Sequence, residues 1–306
     1  MGNTVKKYER VVENLNRALH ALFATDPHVF LIGEDLLDPY GGAFKVSSGL
    51  SSRFPDRILA TPLSEGAFLG IASGLTLCGE KVIAEIMFGD FIALGYDQIL
   101  NFAAKAVSMY GHSLTINLVV RCPVGGNRGY GPTHSQSMQK YFIGIPHLHL
   151  FEISPFHDNG LLLNKLVNLG QPCILFEDKV LYAQRIYTAG VIDEYFVVEA
   201  LDNEQNFVRV FLDEGSTDEP DCVIIAPGLL SVDHIFVVEE SVAGGTWGCE
   251  VAQQIYERLW NSLKHPVHLI HSKESIIPSA PHLEKQVLVQ AEDIYTAIIE
   301  AMHAKD

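Results

Sequence analysis

A chain of 306 residues, of which 48% are hydrophobic, is long enough to form about two domains with sizeable cores. Its 37 acidic residues outnumber its 21 basic residues, and the net charge of −16 argues against non-specific binding to nucleic acid or to anionic membranes. No apolar run reaches the roughly 20 residues that span a bilayer. The five cysteines are widely spaced and lack a C-x-x-C pair, which is typical of reduced thiols in a cytoplasmic protein.

Helix and strand patterns alternate through the first part of the chain. Apolar residues recur at the helical period in 10–23, and a buried-strand run follows at 29–32. The further predictions are strands at 81–87, 114–120, 148–153 and 173–177, and helices at 66–77, 97–109, 135–142 and 159–169. This alternation predicts a parallel sheet with helices on both faces, in which ligands bind beyond the carboxyl ends of the strands. The residues at or after these predicted ends include Glu34, Phe91, Arg121 and Glu177.

The pattern changes after about residue 187. Short strands are predicted at 197–200 and 207–211, and the polar run 213–221 reads as a linker or exposed loop. Beyond it we predict strands at 223–226, 235–238 and 267–270, and helices at 249–263 and 292–303. Only eight residues separate the first two of these strands, whereas parallel neighbours need a crossover of about a dozen. The two strands are therefore antiparallel, or not adjacent, or the region has lost a helix–strand unit.

Two residues stand out as candidates for chemistry. Glu65 places a carboxylate at the start of an apolar helix, although Ser64 is a suitable N-cap and Glu65 alone could simply compensate the helix dipole. His134 follows Gly131-Pro132-Thr133, where it could transfer protons or only cap the predicted helix. No spacing of His, Cys, Asp or Glu matches a metal site, and the glycine-rich stretches lack the phosphate-binding patterns.

A series of motifs occurs in order along the chain: Gly33-Glu34-Asp35, 42–50, 61–65, 87–91, 97–105, His134-Ser135-Gln136, 226–228 and 237–241. Together they resemble the beta subunit of the decarboxylase component of 2-oxo acid dehydrogenases, which is pyruvate dehydrogenase beta-like and belongs to the transketolase-like superfamily. The resemblance implies an α/β fold with a parallel-sheet pyrimidine-binding domain at 1–190, a linker at 191–221 and a smaller, shortened α/β C-terminal domain at 222–306.

The resemblance also implies that the chain binds the aminopyrimidine half of thiamine diphosphate. Glu65 would hydrogen-bond N1′ of that ring, Phe91 would stack on it, and Leu63 would contact it through the backbone. Met87 begins the motif that carries Phe91 and belongs to the same expected cofactor-binding set.

Three residues are expected to be catalytic by the same resemblance. Glu65 would promote the imino form of the pyrimidine, and Glu34 would be a second acid in the proton relay. His134 would face the substrate or the acyl acceptor and handle protons there.

The magnesium motif of the superfamily, Gly-Asp-Gly with a later Asn, does not occur here, because Gly89-Asp90 is followed by Phe91. The resemblance therefore implies that an alpha-type partner subunit carries that motif and holds the diphosphate and Mg²⁺, in an α2β2 heterotetramer. No metal ligand is expected on this chain. A lipoyl or other acyl carrier is a further expected partner, whereas nucleic acid and membrane are not.

The implied function is a beta-type subunit that decarboxylates a 2-oxo acid and passes the acyl or aldehyde unit to an acceptor. One alternative is the C-terminal half of a split transketolase-type ketol transferase. That enzyme would need a basic cluster for a sugar phosphate, and the candidate loop offers only Arg121 and Arg128. A second alternative is a non-catalytic scaffold paralogue, which the loss of Glu65, Phe91 or His134 would have favoured.

Overall fold

A computed structural model of the protein describes residues 9–187, 190–192, 196–200, 208–212, 222–225 and 234–303. The chain divides into two compact units, one of Met1–Val124 with Gly144–Ala189 and one of Gly125–Ile143 with Gly190–Asp306. The loop 125–143 thus belongs to the second unit, although strands of the first unit flank it in sequence. The domain boundaries predicted at 190 and 222 stay predictions.

The first unit is built on a six-stranded sheet whose pairings are all parallel. Its strands are β1 (Val29–Glu34), β2 (Ile58–Thr61), β3 (Lys81–Glu85), β4 (Leu118–Val124), β5 (His149–Glu152) and β6 (Cys173–Asp178), in the order β2-β1-β3-β4-β6-β5. Strand β4 is buried along its whole length, as expected for a central strand covered on both faces. The predicted α/β class is therefore confirmed.

The helices of the first unit are α1 (Val11–Thr25), α2 (Leu50–Arg53), α3 (Glu65–Leu77), α4 (Ala104–Ala106) and α5 (Asn159–Val167). The face of α1 that carries Val11, Leu15 and Leu19 is fully buried in the main core, as its helical period predicts. The helix predicted at 97–109 is present but shorter, and most of it is a π-helix, Gln98–Ala103, which continues into α4.

The described residues of the second unit form two three-stranded sheets. The strands β7 (Gly190–Ile192), β8 (Phe196–Ala200) and β9 (Val208–Leu212) are antiparallel, whereas β10 (Cys222–Ile225), β11 (His234–Val242) and β12 (Val267–Ser272) are parallel. Its helices are α6 (Trp247–Leu259), α7 (Pro281–Val287) and α8 (Ala291–His303). Ile235 and Val237 of β11 pack with Ile255 of α6 to form its core.

The pairing of β10 with β11 settles one of the alternatives that the sequence left open. The two strands are adjacent and parallel, with Val223 opposite Ile235, so the antiparallel and the non-adjacent arrangements are both wrong. Both strands have near-continuous apolar sequences, which suit a parallel sheet better than a half-exposed antiparallel one. The remaining interpretation is a domain that has lost a helix–strand unit.

The helix predicted at 135–142 is wrong. This segment contains only a 3₁₀ turn, Gln139–Tyr141. The carbonyl of Gln136 accepts a 3.2 Å hydrogen bond from the amide of Gly125, and the hydroxyl of Ser137 donates a 3.0 Å bond to Glu240. The local pattern of this segment favours a helix, but some of its polar groups form hydrogen bonds with residues that are distant in sequence.

Two expectations about the cysteines and the membrane can be compared with the described residues. Cys78, Cys122, Cys173 and Cys249 are free thiols. Within the described ranges, no helix combines the length and the apolar character that crossing a bilayer would require.

Candidate functional site

The first carboxyl group of the candidate site is Glu34, the last residue of β1, which is only 3% exposed. Its Oε1 accepts a 3.0 Å hydrogen bond from the backbone N–H of Ser64, immediately before α3. Its Oε2 is buried and has no hydrogen-bond partner among the described residues. Burial raises the pKa of Glu34; the bond from Ser64 acts in the opposite direction, and the charges of Glu65 and Asp35 raise the pKa further.

The second carboxyl group is Glu65, the first residue of α3, and it is 5% exposed. The side chain of Ser64 makes no capping hydrogen bond, and its backbone N–H is bound to Glu34 instead. A carboxylate that only compensated the helix dipole would do so at less cost in water. The burial of Glu65 next to Glu34 therefore favours a role in a site.

The segment after β3 forms the 3₁₀ turn Gly89–Gly95, which carries Phe91. A Cβ atom on Gly89 would lie 2.6 Å from Val124 and 2.7 Å from the carbonyl oxygen of Pro123. Only glycine lets the turn approach β4 so closely. The amide of Phe91 donates a 3.0 Å bond to the carbonyl of Phe88, which holds the turn closed.

The residues expected to touch a pyrimidine ring remain accessible on this unit. Met87 and Phe91 are half-buried, and Leu63 is 77% exposed. They lie in the segments that follow β3 and precede α3. All three residues are therefore open to a ligand without rearrangement of the buried core.

Four buried residues on β3, β4 and β6 and just after β6 form what we call the Arg121 cluster: Glu85, Arg121, Glu177 and Tyr182. Arg121 donates from Nε and Nη2 to the two oxygens of Glu177, at 2.7 and 2.6 Å, and from Nη1 to Glu85 at 2.5 Å. The hydroxyl of Tyr182 donates a 2.5 Å bond to Glu177. Glu177 binds the guanidinium through both oxygens, and Glu85 accepts from its remaining nitrogen. Because these charged groups bind one another, we describe the cluster as a closed structural network.

The charges of the Arg121 cluster shift each other's pKa. Burial raises the pKa of Glu85, and the charge of Arg121 opposes that shift. Burial alone would lower the pKa of Arg121, but Glu177 and Glu85 together raise it above its ordinary value. Sequence reasoning placed Glu177 near the end of its strand, as the structure does, but it was wrong to place Arg121 after a strand at 114–120, because Arg121 lies in the middle of β4. It missed Glu85. The available signal was its position as the last residue of an apolar strand, opposite Arg121 in the sheet.

His134 lies on the loop 125–143 of the second unit and is half-buried. Its amide donates a 3.2 Å bond to the carbonyl of Gly131, and its Nδ1 lies 2.9 Å from the hydroxyl oxygen of Thr133. Glu34 and Glu65 adjoin each other in the first unit, which also carries Leu63, Met87 and Phe91, whereas His134 belongs to the second unit.

The polar atoms of the first unit fit the aminopyrimidine half of thiamine diphosphate. That ring presents nitrogen atoms that need hydrogen-bond partners, and Glu34 Oε2 is a buried oxygen with no partner among the described residues. Glu65 supplies a second buried carboxyl group, and Phe91 supplies an aromatic surface. In the described ranges, no three His, Cys, Asp or Glu side chains are arranged to hold a metal ion.

Comparison with known families and proteins gives consistent matches. The family model "Transketolase, pyrimidine binding domain" matches residues 10–184. The chain is 30% identical to the pyruvate dehydrogenase E1 component subunit beta of Gracilaria tenuistipitata var. liui, over 93% of this chain and 96% of that one. It is 27% identical to the acetoin:2,6-dichlorophenolindophenol oxidoreductase subunit beta of Cupriavidus necator, over 94% and 96%.

Two further matches extend this set. The 2-oxoisovalerate dehydrogenase subunit beta 2, mitochondrial, of Arabidopsis thaliana is 30% identical, over 86% of this chain and 81% of that one. A solved structure of a split gene transketolase, an inactive beta4 tetramer, matches with a TM-score of 0.67 and 15% identity over 97% of this chain and 99% of that one. At this identity the structural match shows the fold alone. The chain therefore belongs to the transketolase pyrimidine-binding family and, within it, to the beta subunits of pyruvate dehydrogenase-type E1 components.

Proposed function

We propose that the chain is the beta-type subunit of a thiamine-diphosphate-dependent enzyme that decarboxylates a 2-oxo acid and passes the acyl or aldehyde unit to an acceptor. The observation that carries this proposal is the pair of buried carboxyl groups, Glu34 and Glu65, at the end of β1 and the start of α3. Two adjoining carboxyl groups in an apolar setting are costly unless they have a ligand or a proton to hold.

The cofactor half-site is proposed to consist of five residues of the first unit. Glu65 is the hydrogen-bond partner of the ring nitrogen N1′, Phe91 stacks on the ring, and Leu63 contacts it through the backbone. Met87 completes the apolar side, and Glu34 is the second acid, whose raised pKa favours holding a proton. When bound, thiamine diphosphate supplies the carbon nucleophile and the electron sink for decarboxylation.

His134 is proposed to handle protons at the substrate or at the acyl acceptor. An imidazole can donate or accept a proton near neutral pH, and the side chain is only half-buried.

The active enzyme is proposed to require an alpha-type subunit, which carries the Gly-Asp-Gly motif and holds the diphosphate with Mg²⁺, in an α2β2 heterotetramer. The exposed Leu63 supports a partner surface beside the half-site. A lipoyl or other acyl carrier is the proposed acceptor, and the free thiols are compatible with the proposed cytoplasmic location. The names of the relatives include pyruvate dehydrogenase, 2-oxoisovalerate dehydrogenase and an acetoin oxidoreductase, so the substrate is proposed at the level of its class.

The first prediction tests the proposed function with Glu65→Gln. The beta chain is co-expressed with an alpha-type subunit, and decarboxylation of a panel of 2-oxo acids is measured with thiamine diphosphate and Mg²⁺. The wild-type complex should be active and should gain thermal stability from the cofactor, because ligand binding stabilises the folded state. Glu65→Gln should lower kcat at least about 100-fold, since it removes the acid partner of the pyrimidine.

The matched control is Glu257→Gln, which makes the same change on the exposed surface of α6 and should leave kcat unchanged. An active complex that is indifferent to Glu65→Gln would rule out the proposed role of this residue. A complex that transfers ketol groups between sugar phosphates but ignores 2-oxo acids would favour the transketolase alternative. Failure to bind the cofactor at all would favour the scaffold alternative.

A further inference from the structure

The loop 125–143 is fastened within the second unit by two carboxylates that come from elements far away in sequence. Glu240 of β11 accepts 2.9 Å and 3.0 Å bonds on Oε1 from the amide of Gly126 and the hydroxyl of Ser137. Glu284 of α7 accepts a 2.9 Å bond from the amide of Gly129. We call Glu240 and Glu284 the loop clamp. Its contacts lie on both sides of His134.

Glu284 is the more deeply buried member of the loop clamp. The residue is 1% exposed, and its Oε1 has no hydrogen-bond partner among the described residues. A carboxylate in the first turn of α7 could satisfy the helix dipole from the solvent side. Instead it is buried against the loop, with one oxygen on the Gly129 amide. Such burial is costly unless the carboxylate is bound, so the bond to Gly129 ties the conformation of the loop to α7.

Close packing fixes the same loop sterically. A Cβ atom on Gly126 would collide with Leu288, and one on Gly131 would collide with Ser279. Gly131 has φ +81°, in the left-handed region that favours glycine. The turn that begins at Gly131 continues directly into His134, whose amide donates to the Gly131 carbonyl. The backbone that carries the imidazole is thus held by the C-terminal part of the chain.

We propose that Glu284 and Glu240 are positioning residues for His134, through which the C-terminal part of the chain sets the place of the proton-handling imidazole. This inference rests on the function proposed above. A catalytic group must be held within a fraction of an ångström of its working position, and a displacement of about 1 Å can cost roughly 100-fold in rate. Loss of the clamp should therefore affect kcat far more than the affinity for substrate or cofactor.

The second prediction compares Glu284→Ala with Glu284→Gln in the assembled complex. Glu284→Ala should lower kcat by roughly 10- to 100-fold, because it frees the loop, while KM and cofactor affinity stay within about 3-fold. Amide hydrogen exchange, measured in the same complex without substrate, should become faster in 126–134. Glu284→Gln keeps an oxygen that can accept from the Gly129 amide, so it should restore most of the kcat and most of the protection from exchange. The control is Lys285→Ala, which changes an exposed neighbour on α7 and should alter neither kcat nor amide exchange.

Several outcomes would overturn the inference. If amide exchange in 126–134 is unchanged in Glu284→Ala, the clamp does not exist, whether or not the enzyme is active. If exchange is faster but kcat is unchanged, the clamp does not position His134. If Glu284→Ala fails to fold, Ser137→Ala takes its place, since it removes a hydrogen bond to Glu240 and leaves no buried charge without a partner. If Ser137→Ala shows the same amide exchange and the same kcat as the wild type, the clamp is ruled out. An inactive wild-type complex would instead count against the proposed function, and the exchange measurement would still decide whether the clamp exists.

Discussion

The buried glutamates of the first unit fall into two groups with different surroundings. Glu85 and Glu177 both accept hydrogen bonds from the guanidinium of Arg121, which offsets part of their charge inside the protein. Glu34 accepts from a neutral backbone amide and keeps one buried oxygen without a partner among the described residues. The first group is therefore structural, whereas Glu34, beside Glu65, is suited to an incoming ligand or proton.

The third prediction concerns Arg121→Gln. Removing this guanidinium leaves Glu85 and Glu177 buried without their cation, and breaking a buried ion pair in this way typically costs about 3–5 kcal/mol. The free energy of unfolding, measured by urea titration of the purified chain, should fall by that amount. Arg258→Gln, an exposed arginine on α6, is the control and should change it by less than about 0.5 kcal/mol. A change in Arg121→Gln as small as in the control would contradict the closed network.

At the scale of single elements, the loop between β1 and α2 is held by one aspartate rather than by regular structure. Asp38 accepts from the amides of Gly49 and Ser52 and from the hydroxyls of Ser51 and Ser52, at 2.6–3.0 Å. The hydroxyl of Ser52, the amide of Gly49 and the other bonds lower the pKa of Asp38 well below its ordinary value. The loop therefore depends on the ionised form of this side chain.

The fourth prediction concerns Asp38→Asn and its pH dependence. At pH 7 the variant should lose about 1–2 kcal/mol, since an amide replaces a carboxylate that accepts several bonds. Because the pKa of Asp38 is lower in the folded chain than in the unfolded chain, its stabilisation is present above the unfolded value of about 3.9 and is lost as pH falls below it. Urea titrations at pH 7 and pH 3 should show the gap to wild type narrowing. A gap that is constant or widens would refute this account.

At the scale of the whole molecule, the first unit exposes large apolar side chains around α3. Leu63 precedes this helix, Ile71 lies on it, and Leu94 lies in the turn that packs on it through Gly66; their exposures are 77%, 52% and 66%. Single exposed apolar side chains are ordinary, but three of them beside the proposed half-site suit a surface that a partner covers. This is the surface on which we expect the alpha-type subunit to bind.

The fifth prediction concerns Leu94→Lys. A charge in the centre of an apolar contact must be desolvated on binding, so the variant should weaken co-purification with the alpha-type subunit at least about 10-fold. The isolated chain should keep its melting temperature, because the side chain is already in water. Leu161→Lys, which changes a leucine of α5 that is 53% exposed, should assemble normally. Normal assembly of Leu94→Lys would place the partner elsewhere.

Much of the fold could be predicted because its signals are local. The helical period of 10–23 and the apolar run at 29–32 recur as α1 and β1, and their alternation predicts the parallel sheet. The setting of Glu65 could be predicted only in part. Its place at the start of α3 follows from Pro62 and Ser64, but its burial beside Glu34 depends on how β1 and α3 pack.

What the sequence by itself determined is the class of fold and most of the order of its elements, since these depend on patterns within a few neighbouring residues. The roles of Glu65, Phe91 and His134 come from the family resemblance and stay proposals. Only the tertiary structure decided the parallel pairing of β10 with β11, the loss of the helix predicted at 135–142 and the clamp on its loop. The physical reason is distance along the chain. Glu284 lies 155 residues from the amide it binds, and no local pattern records such a partner.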